Sequence, residues 1–147
     1  MILIAHRGNI KGRSLEKENT KEYILQALGL GYQVEIDVWL FGCKLFLGHD
    51  QPEQETKLKF LQDERLWCHC KSRETLAKLI SNGVHCFFHE TDDVTLTSKG
   101  YMWVYPNKTP LEGSICVLPE LHNCKNQDLE KCIGICSDYI DSYKDCA

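Results

Sequence analysis

Gln33-Val34-Glu35-Ile36-Asp37-Val38-Trp39-Leu40-Phe41-Gly42-Cys43-Lys44-Leu45-Phe46-Leu47-Gly48-His49-Asp50 is the stretch whose reading decides the fold. Val34, Ile36 and Val38 alternate with Glu35 and Asp37, the period of two that defines a strand. On such a strand both carboxylates share one face. Two like charges so placed repel each other and lose solvation, so the protein must supply compensation. A divalent cation does this, because hard cations take carboxylate oxygens as ligands. The chain is then expected to turn at Gly42 and return as a second strand, Lys44 to Leu47, which brings His49 and Asp50 towards the carboxylates. A half-buried strand with solvated acids is the plainer alternative for Glu-x-Asp alone.

At 147 residues, positions 1–147 are expected to form a single domain with enough mass for a core. Hydrophobic residues (43%) and charged residues (26%) are both in the ordinary range for a soluble globular protein. The net charge of -4 argues against a nucleic-acid partner, whose footprint is basic. No apolar run approaches bilayer-spanning length, so no transmembrane segment is expected. The apolar start, Met1 to Ala5, is too short for a secretory leader, and a cytoplasmic location is the expectation. Nine cysteines, an odd number, make a poor disulfide framework there. They are expected to be reduced and mostly buried as small hydrophobes. A zinc–thiolate site on Cys68-His69-Cys70 with Cys86 or His89 fits no common zinc spacing, and neighbouring strand residues point to opposite faces.

Along the chain, Ile2–Ala5 reads as a buried strand ending in His6-Arg7-Gly8. Asn19 with Glu22 three residues on reads as a capping box for a helix carrying Tyr23, Ile24, Ala27 and Leu28. Further strands are expected at Leu66–Cys70, Val84–Phe88, Tyr101–Tyr105, Ile115–Leu118 and Ile133–Cys136. Helices are expected near Leu58–Gln62, after Ser72, and over Gln127–Cys132, with loops at 51–57 and 91–100. Strand followed by helix, repeated, argues for a parallel sheet or an α/β barrel. His6, Glu35, Asp37, His69, His89 and Asp138 fall at or near C-terminal strand ends, where such barrels keep their chemistry. A full eight-unit barrel takes about 200 residues or more, so the expected fold is a reduced TIM-type (β/α) barrel with helices or units missing.

His6-Arg7-Gly8, Glu18-Asn19-Thr20, Glu35-Ile36-Asp37-Val38 and Gly48-His49-Asp50, in this order and at this spacing, resemble the glycerophosphodiester phosphodiesterase family. Gly134-Ile135-Cys136-Ser137-Asp138-Tyr139 is similar to that family's closing strand. The resemblance implies an α/β barrel of lipid metabolism that hydrolyses phosphodiesters with a divalent ion and two histidines. The attacking group would be a neighbouring substrate hydroxyl, and the product a cyclic phosphate that water then opens. Carried over by position, it makes His6 and His49 the acid/base pair, Arg7 and Lys71 phosphate-binding cations, and Glu35 and Asp37 metal ligands. Glu18, Asn19 and Asp50 would support them from behind. His69 stands where the family has a third acidic ligand, so the expected Mg2+, Ca2+ or Mn2+ gains Zn2+ as a further candidate. Leu40 and Phe41 replace the family's hairpin Thr-x-Asp, and the middle of the chain departs from its pattern.

These residue types suit the reaction. A phosphodiester anion repels nucleophiles until cations neutralise it, and its leaving alkoxide needs a proton that imidazole supplies near neutral pH. The substrate implied is a small phosphodiester. Two rivals stand beside this expectation: a barrel that has lost catalysis and binds a phosphorylated ligand, and a related phospholipase acting on lipid phosphodiesters. His89, Glu90 and the Asp92-Asp93 pair either line the pocket or belong to a solvated loop. Trp103 and Tyr105 read as barrel filling, and His85 and His122 have no partner legible in the sequence.

Overall fold

The computed structural model describes residues 1–121, 124 and 126–146, with the backbone alone at 126, 145 and 146; His122 and the Cys146 thiol lie outside the description. The chain runs β1 (Ile2–His6), α1 (Lys21–Gly29), β2 (Gln33–Phe41), β3 (Lys44–Leu47), β4 (Gln54–Thr56), α2 (Leu58–Leu61), β5 (Leu66–Cys70), α3 (Arg73–Ile80), β6 (Cys86–Phe87), β7 (Val94–Leu96), β8 (Met102–Val104), β9 (Ile115–Val117), α4 (Asn126–Leu129) and β10 (Gly134–Ser137). Short 3-10 segments lie at Pro119–Leu121, between β9 and α4, and at Ile140–Cys146, after β10.

The fold is mixed α/β on one ten-stranded sheet. Seven strands run parallel in the order β6-β5-β2-β1-β10-β9-β8. The other three are antiparallel additions: β3 on β2, β4 on β3, and β7 on β8. β2 serves three neighbours along its length, with Gln33–Glu35 on β1, Val34–Val38 on β5 and Val38–Phe41 on β3. Among the described residues no ladder joins β6 to β8, so the strand pairing does not close into a ring. The edge of β6 is occupied instead by Ser98, whose N–H donates to the Cys86 carbonyl (2.8 Å) and whose hydroxyl accepts the Cys86 N–H (3.0 Å).

Alternation along the strands sorts the side chains into two layers. Outward-facing Val34, Ile36, Val38, Leu66, Cys68 and Cys86 pack under Ile24, Ala27 and Leu28 of α1, Leu61 of α2 and Leu79 of α3. The inner layer holds Ile4, Trp67, Phe87, Trp103, Ile115, Val117 and Cys136. Trp67 on β5 and Trp103 on β8 are separated by four strands of the ladder, yet their rings lie 5.6 Å apart. Phe87 meets Trp103 at 4.6 Å. Such contacts require the sheet to curl until its inner face meets itself.

The structure corrects several expectations. Thr20, rather than Asn19, caps α1: its hydroxyl accepts the Tyr23 N–H, while Asn19 sits in the left-handed region at φ 60°. Asn tolerates that conformation, and the turn frees its side chain for another task described below. β4 and β7 form in stretches read as loops, because each is a three-residue strand added at an antiparallel edge. β6 and β8 are shorter than the apolar runs that contain them. The helical spacing of Leu76, Leu79 and Ile80 reads as one apolar face, but Ile80 of α3 is exposed, and Thr75 joins Leu79 on the buried face. Ser72 caps α3 as its residue type predicts.

Candidate active site

On β1, β2, β5, β6 and β10 the inward-facing series ends in a polar residue, and the curl brings those ends together. On β1, Ile4 is followed by His6; on β2, Gln33 by Glu35 and Asp37; on β5, Trp67 by His69 and Lys71. Beyond β6 and β10 the same alternation delivers His89 and Asp138. Register sets the rows: His6 lies beside Glu35, and Asp37 beside His69. His6, Arg7, Glu35, His49, His69, Lys71 and His89 line one side of a cleft of about 280 Å3. Trp103, Tyr105, Pro106, Val117 and Leu118 form its other, largely apolar wall. A larger hollow of about 430 Å3, bounded by Asn107–Pro110, Glu120, Leu121, Cys124 and Asp128, holds none of the strand-end histidines.

Asp37, almost wholly buried, is braced on both oxygens. Oδ1 lies 3.1 Å from His69 Nδ1 and accepts from Lys71 Nζ at 3.2 Å. Oδ2 accepts from Asn19 Nδ2 at 3.0 Å, and Asn19 Oδ1 accepts the Asp37 backbone N–H at 2.9 Å. Arg7 Nε stands 3.1 Å from Oδ2, but its N–H is not aimed at an acceptor and is left buried without a hydrogen bond. Burial opposes ionisation of Asp37; His69, Arg7 and Lys71 overcome it and hold the carboxyl well below its usual range. Glu35 goes the other way: burial, then the Asp37 charge, push its pKa up. Donor atoms of Glu35, Asp37 and His69 all lie within 4.8 Å of one another. Two carboxylates and an imidazole at this separation fit a divalent ion, which would relieve the repulsion that Glu35 feels from Asp37.

A second group of contacts holds His6. Its Nδ1 shares a 2.7 Å hydrogen bond with Asp138 Oδ1, which directs Nε2 to within 3.8 Å of Glu35 Oε2. Burial pulls the His6 pKa down, but the Asp138 hydrogen bond and the Glu35 charge leave it above 6.5. Asp138 is held by Asn9 Nδ2 (2.8 Å), and its N–H donates to Glu120 Oε1 (2.8 Å). Glu18 accepts from Asn9, Arg7 and Arg13, so it orders the loop after β1 and props the guanidinium of Arg7. Sequence reading placed Asp138 at a strand end without a role and passed over Asn9, Arg13 and Glu120. The Ser-Asp-Tyr ending of β10 is the signal that points to Asp138.

His49 occupies the rim. Its side chain is 42% exposed and Nδ1 bonds Asp50 Oδ1 at 2.7 Å, with Asp50 itself out in solvent. Its pKa is lowered, by burial first and then by Arg7 and Lys71 against the pull of Asp37. The turn that places it depends on Gly48, whose φ of 145° admits no side chain: a Cβ there would overlap the Gln51 carbonyl oxygen. Trp39 Nε1 pins the same turn by donating to the Gly48 carbonyl at 2.7 Å. His89 stacks on Tyr105 with ring centres 3.3 Å apart, and burial lowers its pKa to about 4. Trp103, buried in the inner layer, and the partly buried Tyr105 both reach the cleft. His85 is buried against Trp67 and bonds Thr97 at 3.0 Å. Among the described residues no helix is long and apolar enough to cross a membrane. The chain matches no family model, no curated protein and no solved structure.

Proposed function

We propose that this chain is a metal-dependent phosphodiesterase on a shortened TIM-type barrel, of the glycerophosphodiester phosphodiesterase kind. The observation that carries the reading is one constellation: the Asp138-oriented His6 and the rim His49 line the same cleft as Glu35 and His69 of the Glu35, Asp37 and His69 donor set. Glu35, Asp37 and His69 would hold the ion, whose contribution is Lewis-acid neutralisation of the phosphate. Arg7 and Lys71 add positive charge on the same side, and the unsatisfied Nε–H of Arg7 gains an acceptor when a phosphate oxygen enters. Asp138 keeps the proton on Nδ1 of His6, leaving Nε2 to exchange protons with substrate, and stabilises the imidazolium when one is formed. His49, on the exposed side, serves the other proton transfer. One imidazole takes the proton of the attacking hydroxyl and the other protonates the leaving oxygen, so the pair returns to its starting charge over the cycle of cyclisation and hydrolysis. A cleft of about 280 Å3 suits a short alcohol such as a glycerol headgroup better than a diacyl lipid.

A silent phosphate pocket is the second reading, favoured by His69 standing where a third acidic ligand is expected, which leaves the donor set with one negative charge fewer. One assay series separates the two. Small phosphodiesters are offered with Mn2+, Mg2+, Ca2+ and Zn2+ in turn, to wild type and to His6→Ala and His49→Ala. The phosphodiesterase reading expects each variant to lose about a hundredfold or more in turnover with metal binding unchanged. A nitrophenyl leaving group, which needs no proton, should rescue the variant that lacks the acid and not the one that lacks the base. Both variants keeping wild-type rates on every diester hydrolysed would eliminate this mechanism, and absence of any turnover by wild type would favour the silent pocket.

A further inference from the structure

His89 is an inward-facing imidazole that the constellation above leaves unused. It follows Phe87 by two residues, and Phe87 is in register with His69, so His89 emerges at the same end of the sheet as the donor set. Its ring centre lies 5.5 Å from that of His69, and both rings line the cleft with Glu35. Its Nδ1 is buried without a hydrogen-bond partner, although a buried imidazole nitrogen is ordinarily satisfied. Two imidazoles bound to one ion at metal–nitrogen distances of about 2.0–2.1 Å hold their ring centres roughly 5 Å apart. The observed spacing is close to that. β6 is a two-residue strand, so little ladder opposes a small movement of its end.

We infer that His89 is a fourth protein ligand of the Glu35, Asp37 and His69 ion, making the centre a two-carboxylate, two-imidazole site that takes nitrogen-seeking ions such as Zn2+ or Co2+ in preference to Mg2+ or Ca2+. The inference rests on the metal-dependent reading above and extends it. The physical reason is donor chemistry: each imidazole that replaces a carboxylate removes negative charge and adds a borderline-soft nitrogen, which Mg2+ and Ca2+ do not seek. Tyr105, stacked on the His89 ring, would hold the plane of that ligand.

Titration of the full-length chain with Zn2+, Co2+ and Mg2+ alone, by calorimetry, tests it in wild type, His89→Ala and Glu35→Gln. Zn2+ affinity should fall by about tenfold or more in His89→Ala while Mg2+ affinity changes by less than about threefold. The Co2+-loaded wild type supplies a measurement that needs no variant: its proton spectrum should show paramagnetically shifted ring N–H signals from a pair of ligating imidazoles. Equal Zn2+ affinity in wild type and His89→Ala, with loss only in Glu35→Gln, overturns the His89 assignment and leaves the metal centre standing. A single shifted imidazole signal does the same. No uptake of any ion by wild type overturns both this inference and the metal-dependent reading.

Discussion

Asp138 stands behind His6, and their 2.7 Å hydrogen bond has a pH signature. The His6 pKa is raised above 6.5, so its contribution to stability is fully present below that value and is lost as pH rises through the folded-state pKa. Asp138 is lowered from 3.8, against the opposing effect of burial, and its contribution is present above that value and lost as pH falls through the folded-state pKa. The two windows overlap between about pH 4 and 6.5. Asp138→Asn should therefore lower the melting temperature more near about pH 5.5 than near about pH 9. Thermal melts across pH check this, and a uniform loss would show the bond to be insensitive to charge. Asn19 makes the opposite case to Asp138, a residue that the family resemblance marks as a support of the site while its local spacing reads as a helix cap. Its capping-box position is a helix signal, but the chain spends its side chain on Asp37, 18 residues away. No local pattern encodes that contact.

At the scale of elements, the cap and the site separate cleanly at two adjacent positions. Thr20→Ala should destabilise the protein by about 1 kcal/mol, the usual loss of an N-cap hydroxyl, with divalent-ion affinity unchanged. Asn19→Ala should weaken ion binding as well, because it frees one Asp37 oxygen and forces a Cβ-bearing residue with no polar side chain into φ 60°. Denaturant melts paired with metal titration distinguish them. The β2–β3 hairpin carries a related expectation. Gly48→Ala cannot keep its turn, so His49 should move off the rim, with activity on diesters lost while β2 keeps its carboxylates. Of the elements, β2, β3, β5 and α3 were readable because their alternation and caps are local. β4 and β7 were not, since a three-residue edge strand exists only by virtue of the neighbour it pairs with.

In the whole molecule the curl of the sheet is held by rings: Trp67, Phe87 and Trp103 meet across the gap that no ladder spans among the described residues. Phe87→Ala should cost about 3–5 kcal/mol, typical of an aromatic lost from a packed core, and should loosen the β6 edge first. Hydrogen exchange at Phe87 and Ser98 amides would report it. The thiols follow the same layering. Cys43, exposed on the hairpin turn, should react promptly with a thiol reagent in the native state, and Cys43→Ser should remove that phase. Buried Cys68, Cys70, Cys86, Cys116, Cys132 and Cys136 should react only after denaturation. The sequence alone determined the α/β class, the face on which Glu35 and Asp37 lie and the strand ends at which the histidines emerge, because strand period and helix caps are short-range and steric. Only the tertiary structure decided that Asp138 orients His6, that Asn19, Arg7 and Lys71 hold Asp37, and that among the described residues the strand pairing stays open between β6 and β8. Those outcomes depend on how far the sheet curls, a property of long-range packing that no window of neighbouring residues contains.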